Sequence, residues 1–156
     1  MAPLVRCPHR QNMQNWNSRD HDILAKTIFA ESWGEDISGQ HAVGHVIMTR
    51  AKANRSYWGG STIAGVCLQP GQFECWNNKN DIPIRVDDER RAYNRIYQWV
   101  PDLLNGRIPD PSYGCDYYNN PSIESGTREP QWVKQARAEG KRTMDIGNHR
   151  FYHIGH

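Results

Sequence analysis

Apolar residues fall into a helical rhythm in three stretches of the chain and alternate near its end. Ile23, Leu24, Thr27, Ile28 and Phe29 recur at three- and four-residue steps, the spacing of a buried helical face, and predict a helix ending near Glu31. Ser18 or Asp20 is placed to cap it by accepting from unpaired backbone N–H groups. After a Trp33-Gly34 turn, a second helix is predicted from Ser38 to about Ala53. Ala42, Val43, Val46, Ile47, Arg50 and Ala51 line its inner face, and Gly44 allows a neighbour to approach closely. A third helix is predicted over Asp87–Leu104, with Ala92, Ile96, Trp99, Val100 and Leu103 as its stripe. Asp87 and Asp88 suit its positive end, and Pro101 is expected to kink it or end its regular part.

Between these helices the pattern breaks at Asn54–Gly60, resumes as a short helical turn over Ser61–Leu68, and turns tightly at Pro70-Gly71. Gly114–Asn120 reads as a strand and Trp132–Ala138 as a short helix. Thr143–His153 has β-formers on both sides of Gly147-Asn148, as a hairpin or a bulged strand would. Helices dominate beside a small antiparallel sheet, which defines an α+β fold. Residues 1–19, with two prolines and little periodicity, are expected to be an irregular arm; residues 20–156 are expected to be a single domain.

Composition narrows the function. Mean hydropathy is −0.85, and no stretch reaches the roughly 18 apolar residues of a membrane span. The first ten residues lack the apolar segment of a secretory leader, so the chain is expected to be made in the cytoplasm with no export route of its own. A formal net charge of +2 is too mild to point to nucleic acid. Arg128, Lys134, Arg137, Lys141, Arg142 and Arg150 outnumber the acids near the C-terminus and read as a solvated face. Cys7, Cys67, Cys75 and Cys115 form no C-x-x-C pair. Free thiols are expected, although Cys67 and Cys75 flank a turn that could let them bridge.

Glu31 is the candidate catalytic group. It follows the buried face of the first helix by one turn, where partial desolvation would raise a carboxyl pKa toward the range of a general acid. His41 and His45 lie at the i, i+4 spacing that can share a metal, but Ala42 stands where a zinc protease needs glutamate, and no metal or cofactor is expected. Six Trp, seven Tyr and three Phe sit among Asn, Gln and Gly. Such a mixture suits a polysaccharide groove, because sugar rings offer apolar faces and hydroxyl edges.

Five ordered segments carry a resemblance: A-K-T-I-F-A-E-S-W-G-E, G-Q-H-A-V-G-H-V-I-M-T-R, V-C-L-Q-P-G-Q-F-E-C-W-N, D-P-S-Y-G-C-D-Y-Y-N-N-P and I-G-N-H-R-F-Y. Together they resemble the cell wall hydrolase family of the SleB type, from about Asp20 to Tyr152. The resemblance implies a mainly helical, lysozyme-like α+β core that cleaves peptidoglycan between N-acetylmuramic acid and N-acetylglucosamine, often as a lytic transglycosylase. It places the catalytic role on Glu31. It makes Gln72, Phe73, Tyr118, Asn119 and His149 candidates for lining the groove, and gives Glu35 a part in shaping its own turn. Ser32-Trp33 stands where the family usually has Ala-Arg or similar, Gly114-Cys115 replaces Gly-Ala, and Tyr118-Asn119-Asn120-Pro121 stretches the usual Tyr-Asn-Pro.

The resulting expectation is a monomeric glycosidase whose partner is the bacterial glycan strand. It acts as a bacteriophage endolysin that reaches the periplasm after holin-type release, with no nucleic-acid partner and no membrane insertion. A hydrolytic muramidase, with Asp116 or Glu74 as second carboxylate, is the nearest alternative. A zinc-dependent wall amidase and a non-catalytic peptidoglycan-binding module are more distant ones.

Overall fold

Helix α1 (Ser18–Ser32) opens on Asn17 rather than on Ser18 or Asp20. The Asn17 side chain accepts from the Asp20 N–H at 2.9 Å, and Asp20 returns a bond to the Asn17 N–H at 3.1 Å. This reciprocal pair satisfies two exposed donors at once. Asp20 also accepts the Ala64 N–H at 3.0 Å, which fixes the start of α3 (Ile63–Leu68). The computed structural model describes Met13 and residues 15–155. Most of the arm expected over residues 1–19, with Cys7 in it, lies outside the described residues.

Helix α2 (Ile37–Ala53) starts one residue before Ser38, and α4 spans Asp88–Leu104. Pro101 does not stop α4, because the carbonyl that its missing N–H leaves unpaired finds another donor. That carbonyl belongs to Tyr97 and pairs with His21 Nε2 at 2.8 Å, while the two rings stack with centroids 3.9 Å apart. The last turn then closes normally, with the Asn105 N–H bonded to the Pro101 carbonyl at 2.9 Å.

Helix α1 packs against α2, α3 and α4. Leu24, Ile28, Val43, Val46, Ile47, Ile96, Val100 and Leu103 are buried at these contacts. Gly44 permits the crossing: a Cβ there would lie 2.5 Å from Leu103 Cδ2 and 3.1 Å from Ile28 Cδ1. Gly59 is more tightly constrained. Its φ is +98°, and an added Cβ would meet the Gly65 carbonyl oxygen at 2.2 Å, a backbone atom that cannot rotate away. Gly59→Ala is therefore expected to cost about 3 kcal/mol, read as a lower urea midpoint with an unchanged slope.

The sheet is smaller than the sequence pattern suggests. Only Tyr117–Asn119 of the expected Gly114–Asn120 segment forms a strand, β1. The preceding residues are held in a turn by Asp110, whose carboxylate accepts from the Ser112 N–H and hydroxyl and from the Gly114 N–H, each at 2.8 Å. The predicted hairpin is β2 (Arg142–Ile146) and β3 (His149–His153), turning at Gly147 with φ +60°. All three strands are antiparallel in the order β1-β3-β2, with Tyr118 opposite Phe151 and Asn119 opposite Arg150. Phe151 joins the helical core. Tyr152 instead packs on Val133 and Ala136 of α5 (Gln131–Ala138). The C-terminal excess of basic residues is partly offset by neighbours: Arg137 and Arg150 pair with Glu129 and Asp145, each at 2.6 Å. Among the described residues, no helix is long and apolar enough to cross a membrane.

Candidate active site

Glu31 ends the run of α1 that buries Leu24, Thr27 and Ile28, and it sits half-buried where the helix meets β1 and the Gln72–Trp76 segment. Burial raises its pKa above the ordinary glutamate value. The Tyr118 hydroxyl donates to Glu31 Oε1, and this bond and one from the Cys75 thiol oppose the rise. The negative charge of Glu74 adds to it. A carboxyl so placed holds its proton further up the pH scale than a free one and still faces donors that can stabilise the anion once the proton leaves. Tyr118 remains a proton donor throughout, since burial and the neighbouring Glu31 push its own pKa well above the usual phenol value.

The surroundings are fixed by long-range links. Glu35 does not close its own turn with its side chain. It reaches the hairpin tip, accepting from the Asn148 N–H at 2.8 Å and from Asn148 Nδ2 at 2.9 Å. Gly147 makes room, because a Cβ there would come within 2.5 Å of Glu35 Oε1. His149 Nδ1 lies 3.9 Å from the same oxygen, and its ring stands edge-on to Tyr118 at 5.1 Å. Burial lowers the His149 pKa despite the pull of Glu35, so the imidazole is favoured in its neutral form. Behind β1, Arg50 donates from Nε to the Asp116 carbonyl at 2.9 Å and from a terminal nitrogen to Gln72 Oε1 at 3.1 Å. Its guanidinium lies 5.2, 5.6 and 4.8 Å from the ring centroids of Trp58, Phe73 and Tyr117.

Of the residues expected at the groove, Tyr118 bonds Glu31 and His149 stands against Tyr118, whereas Gln72 bonds Arg50 behind β1. Phe73 does not line a groove: it is 3 % exposed and belongs to the core under Arg50. Trp76, its companion in the sequence, is buried too and donates to Thr27 Oγ1 at 2.9 Å. Asn119 is turned away as well. Strand alternation sends it to the face opposite Tyr118, where it is buried and accepts from the Tyr152 hydroxyl at 2.8 Å. Asp116 is committed to the fold, accepting the Ile154 and Gly155 N–H groups at 2.8 and 2.9 Å, whereas Glu74 is exposed beside Glu31. Cys67, Cys75 and Cys115 are free thiols. His41 and His45 take different partners: His45 Nε2 bonds the Ile108 carbonyl at 2.9 Å, while the His41 ring lies edge-on to Trp99.

A direct test of the Glu31–Tyr118 contact follows. Tyr118→Phe removes a donor that favours ionised Glu31, so the carboxyl keeps its proton to higher pH. The titration midpoint of the Glu31 carboxyl, followed by carbon-13 NMR, is expected to move upward. A midpoint that stays in place, or moves down, would show that the hydroxyl does not act on this acid.

A half-buried acid of raised pKa at a helix end, hydrogen-bonded by a tyrosine that in turn meets a histidine ring, is a candidate centre for general acid–base chemistry. The chain belongs to the Cell Wall Hydrolase family, whose profile matches residues 34–152 and so takes in Tyr118 and His149, while Glu31 lies just before it. A spore cortex-lytic enzyme of Halalkalibacterium halodurans is 30 % identical over 136 residues, 87 % of this chain and 35 % of the relative. One from Oceanobacillus iheyensis is 28 % identical over 150 residues, 96 % of this chain and 45 % of the relative. The chain thus spans less than half the length of these curated relatives. The fold superposes on the catalytic domain of the germination-specific lytic transglycosylase SleB from Bacillus anthracis with a TM-score of 0.61 at 24 % identity, covering 89 % of this chain and 98 % of that domain. For the catalytic domain of Bacillus cereus SleB the TM-score is 0.59 at 25 % identity, with 92 % and 97 % covered.

Proposed function

We propose that this domain cleaves the glycan strand of peptidoglycan at the β-1,4 bond between N-acetylmuramic acid and N-acetylglucosamine, as a lytic transglycosylase with Glu31 as its acid and base. The observation that carries the reading is the half-buried Glu31, its pKa raised by burial while Tyr118 and Cys75 donate to it. The likeness to a domain described as a lytic transglycosylase supports the reaction class.

In this reading protonated Glu31 gives its proton to the glycosidic oxygen as the bond from C1 breaks, leaving positive charge at C1 and a carboxylate on the enzyme. The 6-hydroxyl of the same muramic residue then attacks C1, and its proton returns to Glu31. The products are a 1,6-anhydromuramic end and a new N-acetylglucosamine end, with the enzyme restored. One carboxylate suffices, since the nucleophile is part of the substrate.

Glu74 favours a second reading. It is exposed, and its charge is felt by Glu31, as expected of a carboxylate that activates water in a hydrolytic muramidase. Mass spectrometry of purified peptidoglycan after digestion separates the two. Anhydromuramic ends support transglycosylation, reducing muramic ends support hydrolysis, and cut peptides would overturn both. A setting as a bacteriophage endolysin, acting as a monomer in the periplasm, completes the proposal; its test is host lysis when the chain is produced with a holin and not without one.

A further inference from the structure

Trp33 is the largest apolar side chain near Glu31 that the fold leaves uncovered. It is 45 % exposed, although it sits only two residues beyond Glu31 and immediately caps α1. Its conformation is fixed. The Trp33 N–H bonds the Phe29 carbonyl at 3.0 Å, and its indole lies 6.1 Å from the Phe29 ring with the planes 25° apart, so one side of the indole is backed by the core. Gln40 holds the following turn, with Nε2 within 3.2–3.4 Å of the Ser32, Trp33 and Glu35 carbonyls.

Trp33 also borders two hollows. One, of about 660 Å³, is open to solvent and runs from Glu35 and Gln40 to Arg95, Gln98 and Trp99 on α4. Trp99 forms part of its wall, with the His41 ring set edge-on behind it at 4.6 Å. The other, of about 260 Å³, lies between Trp33, Cys75, Ile82 and Pro83. Each reaches a residue tied to the acid centre: Cys75 bonds Glu31 directly, and Glu35 stands beside His149, whose ring meets Tyr118. Each hollow is thus bordered by the Trp33 indole and by a residue linked through contacts to Glu31.

We infer that Trp33 is a stacking platform for a pyranose ring of the glycan strand, making the larger hollow a saccharide subsite flanking the cleavage point. The chemistry of the lining selects this occupant. A pyranose has an apolar C–H face that suits an indole and equatorial polar groups that suit amides, a guanidinium and carboxylates at the rim. Arg95, Gln98 and Asp36 supply those groups around the aromatic pair Trp33 and Trp99. An apolar peptide would leave this rim unpaired. The rigid backing of the indole limits the ordering cost of binding.

The inference rests on the glycan-cleaving function proposed above, and its test separates the two. Trp33→Ala is compared with Trp33→Phe and wild type on peptide-stripped glycan strands, with chitotetraose binding measured on the Glu31→Gln chain with and without Trp33→Ala. The alanine variant is expected to raise KM about tenfold with kcat within about twofold of wild type, and phenylalanine is expected to restore most of the loss. Thermal melting of the variants monitors the fold. Cleavage by wild type, together with unchanged KM and unchanged chitotetraose binding in the alanine variant, would overturn the subsite and leave the function standing. A loss confined to peptide-bearing strands would also overturn it, by making the stem peptide the occupant. Chitotetraose binding that depends on Trp33, in a chain that cleaves no glycan, would uphold the subsite and overturn the function.

Discussion

Glu31→Gln is expected to lower kcat for glycan cleavage by about three to four orders of magnitude while leaving the melting temperature near that of wild type. The amide matches the acid in size and can still accept from Tyr118 and Cys75, so the packing at the end of α1 is kept. What it lacks is the transferable proton. The wild-type pH dependence follows from the same group. Because burial holds its pKa above the ordinary value, the acid form persists into a range where an exposed glutamate is ionised, and activity is lost as pH rises through the folded-state pKa. The stability contribution has the same sign: the folded state binds the proton more tightly than the unfolded chain, so this contribution is greatest at low pH and fades as pH rises through the folded pKa. Activity within tenfold of wild type in Glu31→Gln would remove Glu31 from the chemistry. Steady-state release of soluble muropeptides and a thermal melt, run on one preparation, give both readouts.

The second large effect is on stability. Arg50→Ala is expected to cost about 4 kcal/mol, or roughly 10 °C in melting temperature for a chain of this size. Arg50 is 6 % exposed, and burial pulls its pKa below the ordinary guanidinium value. Three aromatic rings and two oxygen acceptors hold it. Alanine would open a cavity among Trp58, Phe73 and Tyr117 and strand the Asp116 carbonyl and the Gln72 amide away from their donor. Arg50→Met refills the space without restoring the bonds, so it is expected to recover part of the loss. A methionine variant no more stable than the alanine one would place the whole cost on the hydrogen bonds rather than on the cavity.

Much of the helical frame was legible from local pattern. Ile23 to Phe29, Val43 to Ile47 and Ala92 to Leu103 carry the spacing of faces that the fold does bury, and Glu31 follows the first of them closely enough to be half-desolvated. That pattern made the partial burial of Glu31 legible, while its proposed role as an acid rested on the resemblance carried by the A-E-S-W-G-E segment. Its partners were not visible as partners. The Tyr118–Glu31 bond joins residues 87 apart in the chain, and the Glu35–Asn148 bond joins residues 113 apart; no periodicity encodes such contacts. Phe73, a groove candidate by the resemblance, is buried instead, because an aromatic residue beside Gln and Gly looks alike whether it faces a glycan or a buried guanidinium. Asn119 was misplaced by a subtler rule. In a strand, neighbours point to opposite faces, so Tyr118 and Asn119 could not both face Glu31, and only knowledge of which of the two paired with Phe151 decides between them. Pro101 does not end α4, because its remedy, His21, lies on another helix.

The clasp between Glu35 and Asn148 has a consequence for how the enzyme comes into being. Helix α1 and its acid emerge early in synthesis, but the hairpin that Glu35 grips and the strand that supplies the Tyr118 hydroxyl are made more than eighty residues later. Until those late pieces dock, Glu31 lacks its tyrosine partner and titrates without the environment that tunes it. Assembly of the Glu31 surroundings therefore waits on contacts between distant parts of the chain, the kind of long-range closure that slows folding.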